Sequence, residues 1–247
     1  MLKSRIIPAL LLDDRGIYKT INFQNARYIG DPLNIIKIFN DKLVDEIIIC
    51  DINRNRIASL DIDYLKDIFQ SCRMPVCYAG SINSLGQASK LYSIGVEKLG
   101  LGNVLLEKIH LISEISKIFG SQSVVSILNL VERDGKIFLY DYRNKKIKSG
   151  IDVFNFIQQI QELGCGEIIL HFVENDGGMC GYNYQIIDKI IENIHVPLVF
   201  LGGLSSIDEI LKINDIYKFK GIAGSSLFIY KGKLKSVLIN YPTNLFK

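Results

Sequence analysis

Charge of one sign is scarce in this chain: 29 basic and 26 acidic side chains leave a net charge of +3 over 247 residues. So weak an excess gives no electrostatic footprint for nucleic acid. Paired cysteines are missing too. Cys50, Cys72, Cys77, Cys165 and Cys180 form no C-x-x-C spacing and make an odd count. That argues against a disulfide framework and a structural zinc site, and it suits a reducing cytoplasm. There are only three histidines. No spacing of histidine, cysteine or carboxylate repeats a metal-ligand pattern, so neither metal nor cofactor is expected. Long apolar runs are absent as well. Nothing approaches the roughly 18 residues of a membrane span, and the apolar stretch 6–12 is broken by Pro8 and runs into Asp13-Asp14, unlike a signal peptide. A cytoplasmic protein with no membrane contact is the expectation.

What is present is apolar material in short, regularly spaced runs. Hydrophobic residues make up 48% of the chain, ample for a core. Runs suited to buried strands fall at 6–11, 46–51, 76–79, 98–101, 124–128, 167–172, 198–201 and 221–223. Amphipathic stretches alternate with them at 32–42, 62–70, 84–92, 109–119, 153–164, 183–193 and 206–213, the βαβ signature of a parallel sheet. The chain also repeats itself. Asp45-Glu46-Ile47-Ile48-Ile49-Cys50 is echoed by Gly166-Glu167-Ile168-Ile169-Leu170-His171, an offset of 121 residues from Glu46 to Glu167. Met74-Pro75-Val76 is echoed by Val196-Pro197-Leu198. Together these predict one (β/α)8 barrel domain spanning 1–247, an α/β TIM barrel of two half-barrels with its site at the carboxyl ends of the strands.

Two long connections interrupt the pattern. The segment 13–28 follows the first strand and reads as a lid or binding loop. The segment 133–149 reads as a β-hairpin whose basic run, Arg143 to Lys148, is a solvated turn. Glycines follow several strands. Gly202-Gly203 after strand seven and Gly224-Ser225 after strand eight fit a barrel phosphate site, where bare backbone amides approach an anion. Gly80-Ser81 and Gly102-Asn103 are their counterparts in the first half. Each glycine could also serve only a tight turn. Two such sites would imply a substrate phosphorylated at both ends.

Taken in order, Arg5-Ile6-Ile7-Pro8, Lys19-Thr20-Ile21-Asn22-Phe23, Gly30-Asp31-Pro32, Gly120-Ser121-Gln122, Gly164-Cys165-Gly166-Glu167-Ile168 and Asp176-Gly177 with Gly181-Tyr182 resemble the cyclase subunit of imidazole glycerol phosphate synthase. The resemblance covers essentially the whole chain. It implies a glutaminase partner docked on the amino-terminal face of the barrel, with ammonia passing through the bore to a bisphosphate. It maps an ammonia gate onto Arg5, Glu46, Lys98 and Glu167, which as two cations and two anions could equally be a structural salt-bridge cluster. It places Lys19 as a lysine closing over substrate, Asp51 and Asp176 at strand ends, and Gly177 in the second phosphate loop.

The same resemblance calls for catalytic aspartates at two positions that here hold Leu11 and Asn129. Neither can act as a general acid or base, a loss worth a factor of about 10²–10⁴ per proton transfer. Asp13 shares the parity of Leu11 and could supply a shifted carboxylate. His171 shares the parity of Glu167 and points into the bore, as a core residue or as part of the site; Cys50 holds the matching place on strand two. His110 and His195 receive no role. The reading that follows is a synthase subunit that accepts ammonia without efficient ring closure, of the kind the resemblance associates with amidino sugars of surface polysaccharides. The alternatives are a working cyclase of histidine biosynthesis using Asp13 or Asp51, and a non-catalytic scaffold that activates a glutaminase.

Overall fold

A computed structural model describes residues 4–53, 60–217, 220–232, 234–243 and 245. Eight parallel strands close on themselves: β1 (Arg5–Asp13), β4 (Ile47–Asp51), β5 (Val76–Ala79), β6 (Lys98–Leu101), β7 (Val124–Arg133), β10 (Glu167–Phe172), β11 (Leu198–Leu201) and β12 (Gly221–Gly224). The circuit is completed by pairing of β7 with β10 and of β12 with β1. The expected TIM barrel is therefore what forms, with seven of its helices at the expected places.

The helices form where apolar spacing and capping agree. In α1 (Pro32–Asp41), Asp31 accepts from the Asn34 amide at 2.9 Å and proline opens the first turn. Such a cap is worth about 1 kcal/mol. Ile35, Ile36 and Phe39 form the buried stripe of α1, and the same logic holds for α2 (Ile62–Ser71) with its Asp61 cap. The main core lies between helices and barrel, while a smaller apolar cluster fills the bore itself.

Both long connections carry antiparallel strands. The segment after β1 forms β2 (Gly16–Ile21) and β3 (Gln24–Gly30), with β2 paired to β1. The segment after β7 forms β8 (Lys136–Asp141) and β9 (Lys146–Lys148). Both rise from the carboxyl end of the barrel, because each extends a barrel strand past its last parallel neighbour. No helix among the described residues is long and apolar enough to cross a membrane.

Candidate functional site

Strand alternation sends every second residue into the bore. At its amino-terminal end this gives Arg5, Glu46, Lys98 and Glu167, which meet as one network. Arg5 pairs with Glu46 and, at 3.0 Å, with Glu167. Lys98 Nζ lies 2.9 Å from Glu46 Oε1 and 2.8 Å from Glu167 Oε2. Both carboxylates are buried, with side chains 4% and 6% exposed. Burial works to lower the pKa of Arg5 and Lys98, but the two glutamates outweigh it and hold both above their ordinary values. The ring is thus a fully paired charged layer, which is what lets it sit in the floor of an apolar bore.

Above it the lining is apolar and small. Ile7, Ala9, Ile48, Cys77, Ala79, Val125, Ile127, Ile169, Val199, Leu201 and Ala223 form one buried cluster, with Cys50 against it. At the carboxyl end the bore opens beneath a cavity of about 360 Å³. Leu11, Cys50, Asp51, Gly80, Ser81, Gly102, Asn103, Asn129 and His171 all line it, so the two half-barrels contribute unequally. Asp51 is its one carboxylate among the described residues. That carboxylate accepts from Tyr78 Oη at 2.9 Å and the Asn53 amide at 3.0 Å. Asp13 does not line the cavity; it pairs with Gly16 where β1 turns into β2.

The hairpin after β1 is folded over the mouth. Asn22 and Phe23 adopt left-handed backbone angles at its tip, φ 49° and 63°, and the Asn22 amide donates to the Asp176 carbonyl at 2.9 Å. Phe23 packs on His171, with ring centroids 4.9 Å apart, and on Tyr140 and Tyr142 at 6.4 and 6.3 Å. Lys19 is buried beneath the lid and bonds both oxygens of Asp176, at 3.3 and 3.2 Å. Burial would raise the Asp176 pKa, but His171 and Lys19 outweigh it and hold the carboxyl below its ordinary value. Burial, with Asp176 nearby, pushes the Cys50 thiol up to about 12.

Across the cavity a polar chain ties β7 to the second hairpin. Asn129 Nδ2 donates to Asn103 Oδ1 at 3.2 Å, and Asn103 Nδ2 donates to the buried Asp141. Asp141 pairs with Lys148 at 3.1 Å. Burial opposes ionisation of Asp141, yet hydrogen bonds from Asn144 and Lys148 keep its pKa low. The basic run is a turn with Asn144, Lys145 and Lys146 exposed, but part of it departs from a purely solvated one: Arg143 and Lys145 line the cavity and Lys148 holds Asp141. Sequence reading also missed Phe23, Tyr140 and Tyr142, which come together only when the two hairpins meet.

The glycines divide by half. Gly80 (φ 124°) lines the cavity, and a Cβ there would lie 2.2 Å from the Asp51 carbonyl oxygen. Gly177, Gly202, Gly203, Gly224 and Ser225 do not line it. A Cβ on Gly177 would meet the Thr20 carbonyl oxygen at 2.3 Å, and one on Gly203 the Gly181 carbonyl oxygen at 2.2 Å. On Gly202 it would meet the Phe172 carbonyl oxygen at 2.6 Å, and on Gly224 the Leu204 side chain at 2.7 Å. Gly177, Gly202 and Gly203 are thus sites of close backbone approach, and Gly224 of close packing on a side chain. Ser225 Oγ is buried without a hydrogen-bond partner.

The family model described as "Histidine biosynthesis protein" matches residues 5–235 of this barrel. The chain belongs to that family. It is 40% identical, over 98% of its length and 94% of the relative's, to a Vibrio vulnificus protein provisionally named imidazole glycerol phosphate synthase subunit hisF3. A Leptospira borgpetersenii protein with a provisional HisF name is also 40% identical, over 100% of this chain and 98% of its own. An Exiguobacterium imidazole glycerol phosphate synthase subunit HisF is 30% identical over 86% of this chain and 83% of its own. Within the histidine biosynthesis family, then, this chain is cyclase-subunit-like from end to end.

Proposed function

We propose that the chain is the synthase subunit of a glutamine-dependent enzyme of imidazole glycerol phosphate synthase type. A glutaminase subunit docks at the amino-terminal face and releases ammonia below the ring of Arg5, Glu46, Lys98 and Glu167. Neutral ammonia crosses the apolar bore to the cavity, where an anionic acceptor is held by Gly80, Ser81, Gly102 and Asn103 together with Arg143. A second phosphate would sit at Gly177, Gly203 and Ser225, whose unpartnered hydroxyl supports it. The observation that carries the reading is the paired ring: two cations and two anions facing one another across the foot of a bore that leads to the cavity. Ionised groups in an apolar bore are costly, and a gate that must exclude ammonium while passing ammonia gives them a purpose.

Leu11 and Asn129 occupy the positions where the resemblance calls for proton-transferring aspartates, so imidazole ring closure is slow in this reading. The relatives' names favour a histidine-type synthase, and a surface-polysaccharide destination rests on the resemblance alone. A second reading, full ring closure, is favoured by Asp51, the carboxylate residue that lines the cavity. Ring formation from the histidine-pathway bisphosphate under saturating ammonium salt decides between them. Turnover about 10² or more below that of a working cyclase is expected. A normal rate would assign Asp51 the lost role and place the chain in histidine synthesis.

A further inference from the structure

We propose that His171 is the proton carrier of the cavity, with Asp176 and Phe23 as the residues that position it; this rests on the reading of the cavity as an amination site. His171 is the imidazole among the cavity's lining residues. Its Nε2 is buried, makes no hydrogen bond, and lies 3.7 Å from Asp176 Oδ1. Phe23 from the lid covers the ring at 4.9 Å. Gly202 leaves room beside the ring, where a Cβ would come within 3.1 Å of His171 Cδ2. A ring so confined, with its buried nitrogen beside a carboxylate, carries its proton on Nε2 and presents a bare Nδ1 to the cavity. This is the geometry that makes an imidazole a general base.

The other titratable or charged groups near that mouth are Asp176, Lys19, Cys50, Asp51, Tyr140, Tyr142, Arg143 and Lys145. Asp176 is ionised and occupied by Lys19. The Cys50 thiol titrates far above neutrality, and Asp51 is bonded to Tyr78 and Asn53. Phenols, lysine and arginine ordinarily titrate at about 10 or higher. Among these side-chain types imidazole is the one whose ordinary range lies near neutrality. In the step His171 serves, the ammonia lone pair forms a C–N bond to a carbonyl carbon of the acceptor and the C=O π pair moves to oxygen. One N–H proton passes to Nδ1 and is returned to that oxygen. The sum is addition of ammonia across C=O, with no proton gained or lost.

The test is ¹⁵N-histidine NMR on the full chain, with His171→Asn to identify the resonances. The expected result is a neutral ring protonated on Nε2, with the tautomer preference weakened in Asp176→Asn. A ring protonated on Nδ1 would overturn the proposal. A second arm uses the bisphosphate and ammonium salt. Any turnover the wild type shows should fall about 10²-fold or more in kcat in His171→Asn, with KM little changed. An unchanged kcat would also overturn it. Should the wild type leave this probe untouched, the NMR result decides alone. Intact ammonia coupling in a Lys98 variant would count instead against the ammonia reading and leave the tautomer result standing.

Discussion

Replacing Lys98 with alanine tests the charged ring most directly. The change removes three hydrogen bonds from Nζ, at 2.9 and 3.0 Å to Glu46 and 2.8 Å to Glu167. Two buried carboxylates are then left to share Arg5. Removing one partner of a buried pair costs about 3–5 kcal/mol. Lys98 is 18% exposed at the side chain and Arg5 remains at 33%, so solvent and the second cation soften the loss to about 2–3 kcal/mol. In a chain of this size that lowers Tm by roughly 5–10 °C. The pKa of Lys98 is raised above its ordinary value of 10.5, so its stabilisation is complete below that pH and is lost as pH rises through the folded value. The gap between wild type and variant should therefore be flat from about pH 6 to 9 and close only at strongly alkaline pH. Adding Glu46→Gln to Lys98→Ala should recover part of the loss, because one orphaned charge is gone. Equilibrium urea unfolding across pH measures all three chains. A loss under about 0.5 kcal/mol, the size of a surface pair, would refute the buried-ring argument. With a glutaminase present, Lys98→Ala should also release ammonia to solvent, and intact coupling would count against the conduit.

Three further perturbations follow from the geometry. Gly177→Ala should destabilise the chain by about 2–4 kcal/mol in thermal melts, since φ is 77° and the new Cβ would meet the Thr20 carbonyl oxygen at 2.3 Å. Gly86→Ala, helical and open around its Cα, should instead stabilise by about 0.5–1 kcal/mol. Asp176→Asn should cost about 2–3 kcal/mol near neutrality by stranding the buried Lys19. The Asp176 pKa is depressed, so that difference is present above the ordinary carboxylate range and disappears as pH falls through the folded value. A wild-type advantage persisting in strong acid would show that the ion pair is not its source.

The barrel was legible because each strand is a short apolar run between amphipathic helices, and the eight positions agree to within a residue or two over most of their length. The ends that differ are informative. β1 and β7 run on to Asp13 and Arg133, since hairpins continue them after their parallel neighbours stop. β3 is exposed over most of its length, so it carries no hydrophobic alternation, and backbone pairing to β2 alone defines it. The family resemblance pointed to the charged ring, and strand parity turned His171 into the bore. Parity could not find Phe23, Tyr140 or Tyr142, which sit on insertions where barrel parity has no meaning and which meet only across the cavity. Arg143 and Lys148 looked like part of a solvated turn because composition does not tell a charge facing water from one turned toward a cavity or a buried carboxylate.

Asn129 is held as an amide, because the polarity of its neighbours is fixed. The ionised Asp141, buried against Lys148, can only accept hydrogen bonds. Asn103 must therefore turn its NH₂ group toward Asp141, which leaves its carbonyl oxygen facing Asn129. That oxygen needs a donor, and an amide supplies one. A carboxylate at position 129 would set an acceptor against an acceptor. Turning Asn103 over to suit it would set a second acceptor against Asp141, at a cost of about 1–3 kcal/mol for each unmet buried group. Asn129 on β7 is thus bound into the hairpin that supplies Arg143 and the aromatic wall. Cavity lining and an amide at this position belong to one hydrogen-bonded arrangement, and His171, its neighbour in register on β10, is the side chain proposed to carry the proton.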